Sequence, residues 1–276
     1  MKKVVCLLLA AVMVFAFSAC GSKNENEKNM TIRMATTTSV NDSGLLPYLL
    51  SVFKEKTGYT VEVQSAGTGA AIQKAKDGNA DLILVHSKAA EEEFISQGYG
   101  VERFPFMFNY FIFVGPKEDK ANIKNCKSAR EALLRLAETQ TPFVSRGDDS
   151  GTHKKEVALW GDELPDPQTD KWYVSAGQGM GATLTMASEQ GAYCMTDKGT
   201  YLSMKDKLEL EIILGESEDM LNTYSLIACN PDKIADLNTE GTNALIEWML
   251  SDEASDLIEK FGVEEYGQPL FYLIKE

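Results

Sequence analysis

The chain has 276 residues, 44% of them hydrophobic, with 27 basic and 41 acidic side chains and a formal net charge of −14. That excess of acid argues against nucleic acid as a partner, because the phosphate backbone is bound by basic surfaces. Cys126, Cys194 and Cys229, the cysteines beyond residue 20, are odd in number and widely spaced, which fits neither a disulfide framework nor a zinc site; buried free thiols are expected.

Residues 1–20 read as an address rather than as part of the fold. Lys2 and Lys3 precede an apolar run at 4–17, and the small residues Ser18 and Ala19 stand before Cys20. The run is shorter than the roughly 20 apolar residues of a spanning helix and suits a secretory signal peptide. Cys20 sits where bacterial lipoproteins carry their lipid-modified cysteine, although Phe17 stands at the usual Leu position of that lipobox. An ordinary signal peptide, with Cys20 incidental, is the other reading. Residues 21–30 are small, polar and charged up to Met30, a flexible tether with little to bury. Losing the leader removes two lysines and no acid, leaving 25 basic against 41 acidic residues, or −16. An anionic ligand would then need a local site to attract it. No later stretch is apolar over a bilayer's width, so the chain is expected outside the cytoplasmic membrane, held by lipid alone.

From residue 31 strand and helix signals alternate. A short strand is expected at 31–35, and an amphipathic helix at 45–56 with Leu45, Leu46, Leu49, Leu50 and Phe53 on one side. A strand at 60–63 and a helix at 70–76, ended near Gly78, come next. The apolar run at 81–85 predicts a strand covered on both faces, and 91–97 a further helix. This β-α-β-α-β order implies a parallel sheet with right-handed crossovers. Residues 104–114 form an aromatic-rich strand broken by Gly115-Pro116. A second unit has helices at 129–138, 153–160 and 182–190 and a strand at 142–145; an apolar strand at 222–229 and helices at 242–250 and 253–261 close the chain. The fold class is α/β.

Four segments place small hydroxyl or glycine residues just before a helix. They are Thr36-Thr37-Thr38-Ser39, Ser65-Ala66-Gly67-Thr68-Gly69, Ser145-Arg146-Gly147-Asp148-Asp149-Ser150-Gly151-Thr152, and Gly177-Gln178-Gly179-Met180-Gly181. A helix start leaves backbone N–H groups unpaired and carries partial positive charge. Glycine lets a ligand approach the backbone, and Ser or Thr adds a hydroxyl donor. In an open α/β sheet such corners lie at the carboxyl ends of strands, where ligands bind. Converging corners would make an anion site without a metal or a cofactor. Arg146 supplies a full charge and a planar donor fork. Each corner alone is also explained as a simple helix cap, and Arg146 as a surface partner of Asp148 or Asp149.

In their order these motifs resemble the TupA-type tungstate-binding proteins. The resemblance runs from Thr36-Thr37-Thr38-Ser39 with Asp42-Ser43-Gly44-Leu45-Leu46, through Gly67-Thr68-Gly69, residues 81–86 and the Arg146 loop up to His153, to Gly177-Gln178-Gly179-Met180-Gly181 and Gly267-Gln268-Pro269-Leu270-Phe271. It implies a two-lobed type II periplasmic-binding-protein fold with a ligand cleft between lobes: lobe 1 from 31–112 and 222–276, lobe 2 from 113–221. It also implies a tungstate or molybdate ligand and delivery to an ABC transporter permease by a monomer. The resemblance implies ligand contacts at Thr38, Ser39, Thr68, Arg146, Gly151 and Thr152, and the same corners add Thr37, Ser150, Gly179 and Met180 as candidate ligand-binding residues.

Tungstate carries no proton at neutral pH, so every group touching it should donate. Phosphate is the rival within the superfamily, and it needs a carboxylate to accept its proton; Asp148 or Asp149 turned inward would favour it. A Ser/His hydrolase built on Ser150 and His153 is the alternative of another class, yet no orienting third group and no Gly-x-Ser-x-Gly accompany them. His86 and His153, the chain's two histidines, have no metal-ligand partner at standard spacing.

Overall fold

The computed structural model describes residues 29–274, so the expected leader, Cys20 and most of the expected linker lie outside the described residues. The first strands and helices alternate as the sequence predicts, with one short helix, α1, that it does not: β1 (Thr31–Thr37), α1 (Thr38–Asp42), α2 (Leu45–Thr57), β2 (Thr60–Ala66), α3 (Thr68–Lys76), β3 (Leu82–Val85) and α4 (Lys88–Ser96). β1 pairs in parallel with β2 and with β3. Two longer strands extend this sheet, β4 (Gly100–Gly115) and β9 (Leu221–Cys229), and both pairings, β3 with β9 and β9 with β4, are antiparallel. The sheet is therefore mixed rather than wholly parallel, and its order is β10-β4-β9-β3-β1-β2, with β10 at Tyr272–Leu273.

The apolar run of β3 is covered on both faces because its alternate residues enter different cores. Leu82 and Leu84 pack with Leu45, Leu46, Leu49 and Phe53 of α2. Ile83 and Val85 pack with Ala71, Ile72 and Ala75 of α3 and Phe94 of α4. Burying such a side chain contributes roughly 1.5–3 kcal/mol, so a register slip of one residue in β3 would exchange both sets at once.

The second lobe grows from the far end of β4. There Phe111 to Val114 pair with β7 (Cys194–Asp197), and Phe113 to Gly115 with β8 (Glu211–Leu214). β5 (Phe143–Ser145) and β6 (Tyr173–Ser175) run parallel, and a Phe143–Tyr193 bridge joins them toward β7. Helices α5 (Ala129–Thr139), α6 (Gly151–Trp160), α7 (Met180–Gln190) and α8 (Lys198–Met204) cover these strands. Phe111, Phe113, Phe143 and Trp160 make an aromatic core with Leu133 and Leu136 of α5. The chain returns to the first lobe along β9, and α9 (Thr239–Met249), α10 (Asp252–Lys260) and α11 (Val263–Tyr266) finish it. Cys126, Cys194 and Cys229 are buried and free. Among the described residues no helix is long and apolar enough to cross a membrane.

Three helices begin two residues earlier than the sequence reading places them: α3 at Thr68, α6 at Gly151 and α7 at Met180. Gly69, Gly151 and Gly181 fall within these first turns. In a first helical turn the N–H groups have no intrahelical partner in any case, so glycine is tolerated there. The shift puts Thr68, Gly151, Thr152 and Met180 inside first turns.

Candidate functional site

The first corner is the β1–α1 junction. Thr36 is fixed by its Oγ1 donating to Leu84 O at 2.7 Å, and Thr37 Oγ1 lies 3.3 Å from Ser39 Oγ. Ser39 Oγ is also 3.3 Å from Tyr224 OH and 3.5 Å from His86 Nε2. At the second corner Gly67 is extended and Thr68 opens α3, fully buried. Thr68 Oγ1 is enclosed without a hydrogen-bond partner among the described residues. A buried hydroxyl left so is costly, which marks it as a donor awaiting an acceptor.

The third corner turns sharply after β5. Gly147 has φ +64°, and a Cβ there would overlap Ser175 Oγ, so glycine is required. Arg146 is only 7% exposed. Its Nε donates to Asp148 Oδ2 at 2.8 Å, while Asp148 Oδ1 accepts from Ser150 N at 3.1 Å. Asp148 thus braces Arg146 and the loop. Asp149 points outward, its side chain 81% exposed and 3.3 Å from Lys154 Nζ. Ser150 caps α6, accepting from His153 N at 3.3 Å. His153 Nδ1 accepts from Asp149 N at 3.0 Å. Ser150 and His153 therefore form a backbone cap, not a nucleophile with its base. The fourth corner is Gly179, extended, leading into Met180 at the start of α7.

Thr38, Ser39, Arg146, Gly179 and Met180 line one cavity of about 160 Å³ between the two lobes. That is below the roughly 300–1,000 Å³ of pockets that take organic ligands, so the space suits a small ion. α1, α3 and α7 start without a side-chain cap, as α2, α4 and α11 also do, so the first-turn N–H groups at these three corners are not taken by a capping side chain. Arg146 Nη1 and Nη2 make no hydrogen bond to protein among the described residues, since Asp148 takes Nε alone. A guanidinium this buried, with its fork unmatched, is built to receive an oxyanion.

Thr37, Thr68, Ser150, Gly151 and Thr152 do not line that cavity. Thr37, Thr68, Ser150 and Thr152 are buried beside it in their corners. Gly151 presses on His86 from across the cleft, and a Cβ on it would overlap His86 Cε1. His86 is pushed down to about 4 by burial, with the Arg146 charge acting the same way, so the imidazole stays neutral at neutral pH.

The sequence reading missed two carboxylates that line the cavity, Asp42 and Asp197. Asp197 ends β7 and caps α8, accepting from Thr200 N at 2.8 Å and Thr200 Oγ1 at 2.6 Å. Burial raises its pKa, while the Thr200 bonds and the Arg146 charge oppose the rise. The Asp-x-x-Thr capping spacing was the available signal. Among the described residues no group of three His, Cys, Asp or Glu side chains could hold a metal ion.

Residues 22–253 match the model of the PBP superfamily domain. A tungstate-binding protein TupA of Peptoclostridium acidaminophilum is 47% identical, covering 98% of both chains. The chain belongs to the TupA family, within the PBP superfamily. The solved tungstate-binding TupA from Desulfovibrio alaskensis G20 is 37% identical, with TM-score 0.79 over 89% of this chain and 99% of that one. The tungstate ABC transporter structure from Geobacter sulfurreducens is 41% identical, with TM-score 0.75 over 84% of this chain and 98% of that one. The TupA family carries the two-lobed α/β architecture described above.

Proposed function

We propose that this chain is the extracytoplasmic solute-binding component of an ABC importer, capturing tungstate, with molybdate as an allied ligand. The observation that carries this reading is the buried Arg146 fork, unmatched by protein and facing a small cavity rimmed by uncapped helix starts. The names of its relatives supply the element. Thr37, Thr38, Ser39, Thr68, Ser150, Gly151, Thr152, Gly179 and Met180 would donate hydroxyl or backbone N–H groups beside Arg146. Charge-assisted hydrogen bonds contribute roughly 1.5–3 kcal/mol each. About seven of them offset ordering costs and reach nanomolar affinity. We assign lobe 1 to 31–112 and 222–276 and lobe 2 to 113–221, closing on the ion as a monomer that hands it to the permease. Cys20 would bear the lipid that holds the chain to the membrane.

Phosphate is the second reading, and Asp197 is what favours it, as a cavity carboxylate that could accept a ligand proton. Asp148, spent on Arg146 and Ser150 N, and the outward Asp149 weigh against it. Calorimetric titration with tungstate, molybdate, sulfate and phosphate tests both. Tungstate should bind one-to-one and far more tightly than phosphate or sulfate; phosphate binding at equal strength would overturn the assignment.

A further inference from the structure

A second groove runs between the lobes on the other side of the His86–Gly151 contact. It has a volume of about 430 Å³, and Arg146 does not line it. Lys154 and Lys155 project into it from α6, where Gly151, Lys154, Lys155 and Ala158 share one helical face. Lys88, at the start of α4, and Arg103, on β4, face them from the first lobe. Among the described residues no Asp or Glu lines the groove, in a chain with 41 acidic side chains.

Three of the four cations have one carboxylate partner each, all of them outside the groove lining, and Lys155 has none among the described residues. Arg103 Nε contacts the buried Glu91 Oε2 at 2.5 Å, but no other acceptor meets its terminal nitrogens among the described residues. Lys155 is partly desolvated, which lowers its pKa while the Asp219 charge opposes the shift, and among the described residues it has no ion pair or hydrogen bond. Lys154 reaches Asp149 at 3.3 Å and Lys88 reaches Glu92 at 3.7 Å, with the partner carboxylates well exposed. Such exposed pairs contribute little. With those carboxylates outside the lining, the groove gathers cationic side chains from both lobes, and an anion sharing the space would relieve their mutual repulsion. The volume lies within the range of small-molecule sites.

We infer that this inter-lobe groove is a second anion site, for a compact polyanion bearing three or more negative charges, separate from the Arg146 cavity. Inorganic condensed phosphates and small polycarboxylates share that chemistry. Because the groove draws Lys154 and Lys155 of one lobe toward Lys88 and Arg103 of the other, an occupant would favour the closed arrangement. By linkage it would then tighten binding in the main cleft. The site rests on its own geometry and stands whether or not tungstate is the cleft ligand.

The test is calorimetric titration of the purified chain at low ionic strength with sodium pyrophosphate, citrate and sulfate. Pyrophosphate or citrate should bind one-to-one, more tightly than sulfate and weakening as salt is added; which of the two binds more tightly identifies the source. The Lys88→Gln/Lys155→Gln double variant should lose about tenfold in pyrophosphate affinity and keep its tungstate affinity. Arg146→Ala should keep pyrophosphate binding. No heat from either polyanion at concentrations of about 10 mM would overturn the site. So would pyrophosphate binding that vanishes in Arg146→Ala yet survives the double lysine variant, because the polyanion would then be occupying the main cleft.

Discussion

The first lobe brings neutral donors to the cleft, the hydroxyls of Thr38 and Ser39 with the buried Thr68 behind them and the uncapped starts of α1 and α3, together with one carboxylate, Asp42. The second lobe brings the full charge, Arg146, and two carboxylates close to it, Asp148 in direct contact and Asp197 across the cavity. The contrast implies a division of labour. Arg146 is locally balanced by Asp148 and Asp197, so the second lobe cannot act as an indiscriminate anion trap. The first lobe has geometry but no full positive charge in its corners. On the closure proposed above the two would be summed, and discrimination would then fall to cavity shape, which is what a chain of net charge −14 needs if it is to select among dianions.

The sharpest way to break this contrast is to remove its charged half. Arg146→Ala should cost about 100-fold in tungstate affinity, the worth of one or two charge-assisted bonds, and leave Asp148 and Asp197 to repel the ion. Arg146→Lys should recover only part, because an ammonium lacks the planar fork. Calorimetry that finds either variant within about twofold of the parent would show that the charge is not where binding energy lies.

Closure itself is next. In Gly151→Ala the new Cβ overlaps His86 Cε1, so affinity should fall about tenfold through strain at the lobe contact. The Gly151→Ala/His86→Ala pair should regain most of it, and small-angle scattering with saturating tungstate should follow the same order. Independent, additive losses would mean the two residues do not meet in the bound state.

On the neutral side, Thr68→Val removes a hydroxyl without a hydrogen-bond partner among the described residues. A loss of about fivefold in affinity with no drop in melting temperature is expected, one hydrogen bond's worth. A more stable protein with unchanged affinity would identify Thr68 Oγ1 as merely an unmatched core atom.

The smallest effect on binding should come from Glu156, in the second-lobe core. It is 1% exposed, accepts from Tyr173 OH at 2.8 Å and Trp160 Nε1 at 3.3 Å, and burial raises its pKa from 4.5 to about 7. The unfolded chain releases this proton near 4.5 and the folded one near 7, so the carboxyl costs stability as pH rises through that window. Glu156→Gln has no proton to release. Thermal melts should show it more stable than the parent at pH 8 by about 1–3 kcal/mol and level with it at pH 4, with tungstate affinity unchanged at both.

Much of this was legible before the fold was seen. The β3 run and the α2 stripe announce their burial through periodicity, and Arg146 within a Ser/Gly/Asp/Thr loop has few bland explanations. The short strands β6, β7, β8 and β10 were not legible, since segments such as Cys-Met-Thr-Asp at 194–197 owe their strand form to pairing with β4 rather than to pattern. Asp197 was missed for the same reason. The pressure of His86 on Gly151 depends on two lobes meeting, which no local spacing encodes. Lys88, Arg103, Lys154 and Lys155 are likewise scattered in sequence and gathered only by the fold.

Diffraction from crystals grown with tungstate, recorded at the tungsten absorption edge, tests the central claim most directly. A single strong anomalous peak should lie in the cavity between Thr38, Ser39 and Arg146, within hydrogen-bonding reach of the guanidinium fork. A peak in the Lys155 groove alone, or one beside Asp197 with Arg146 turned away, would contradict it.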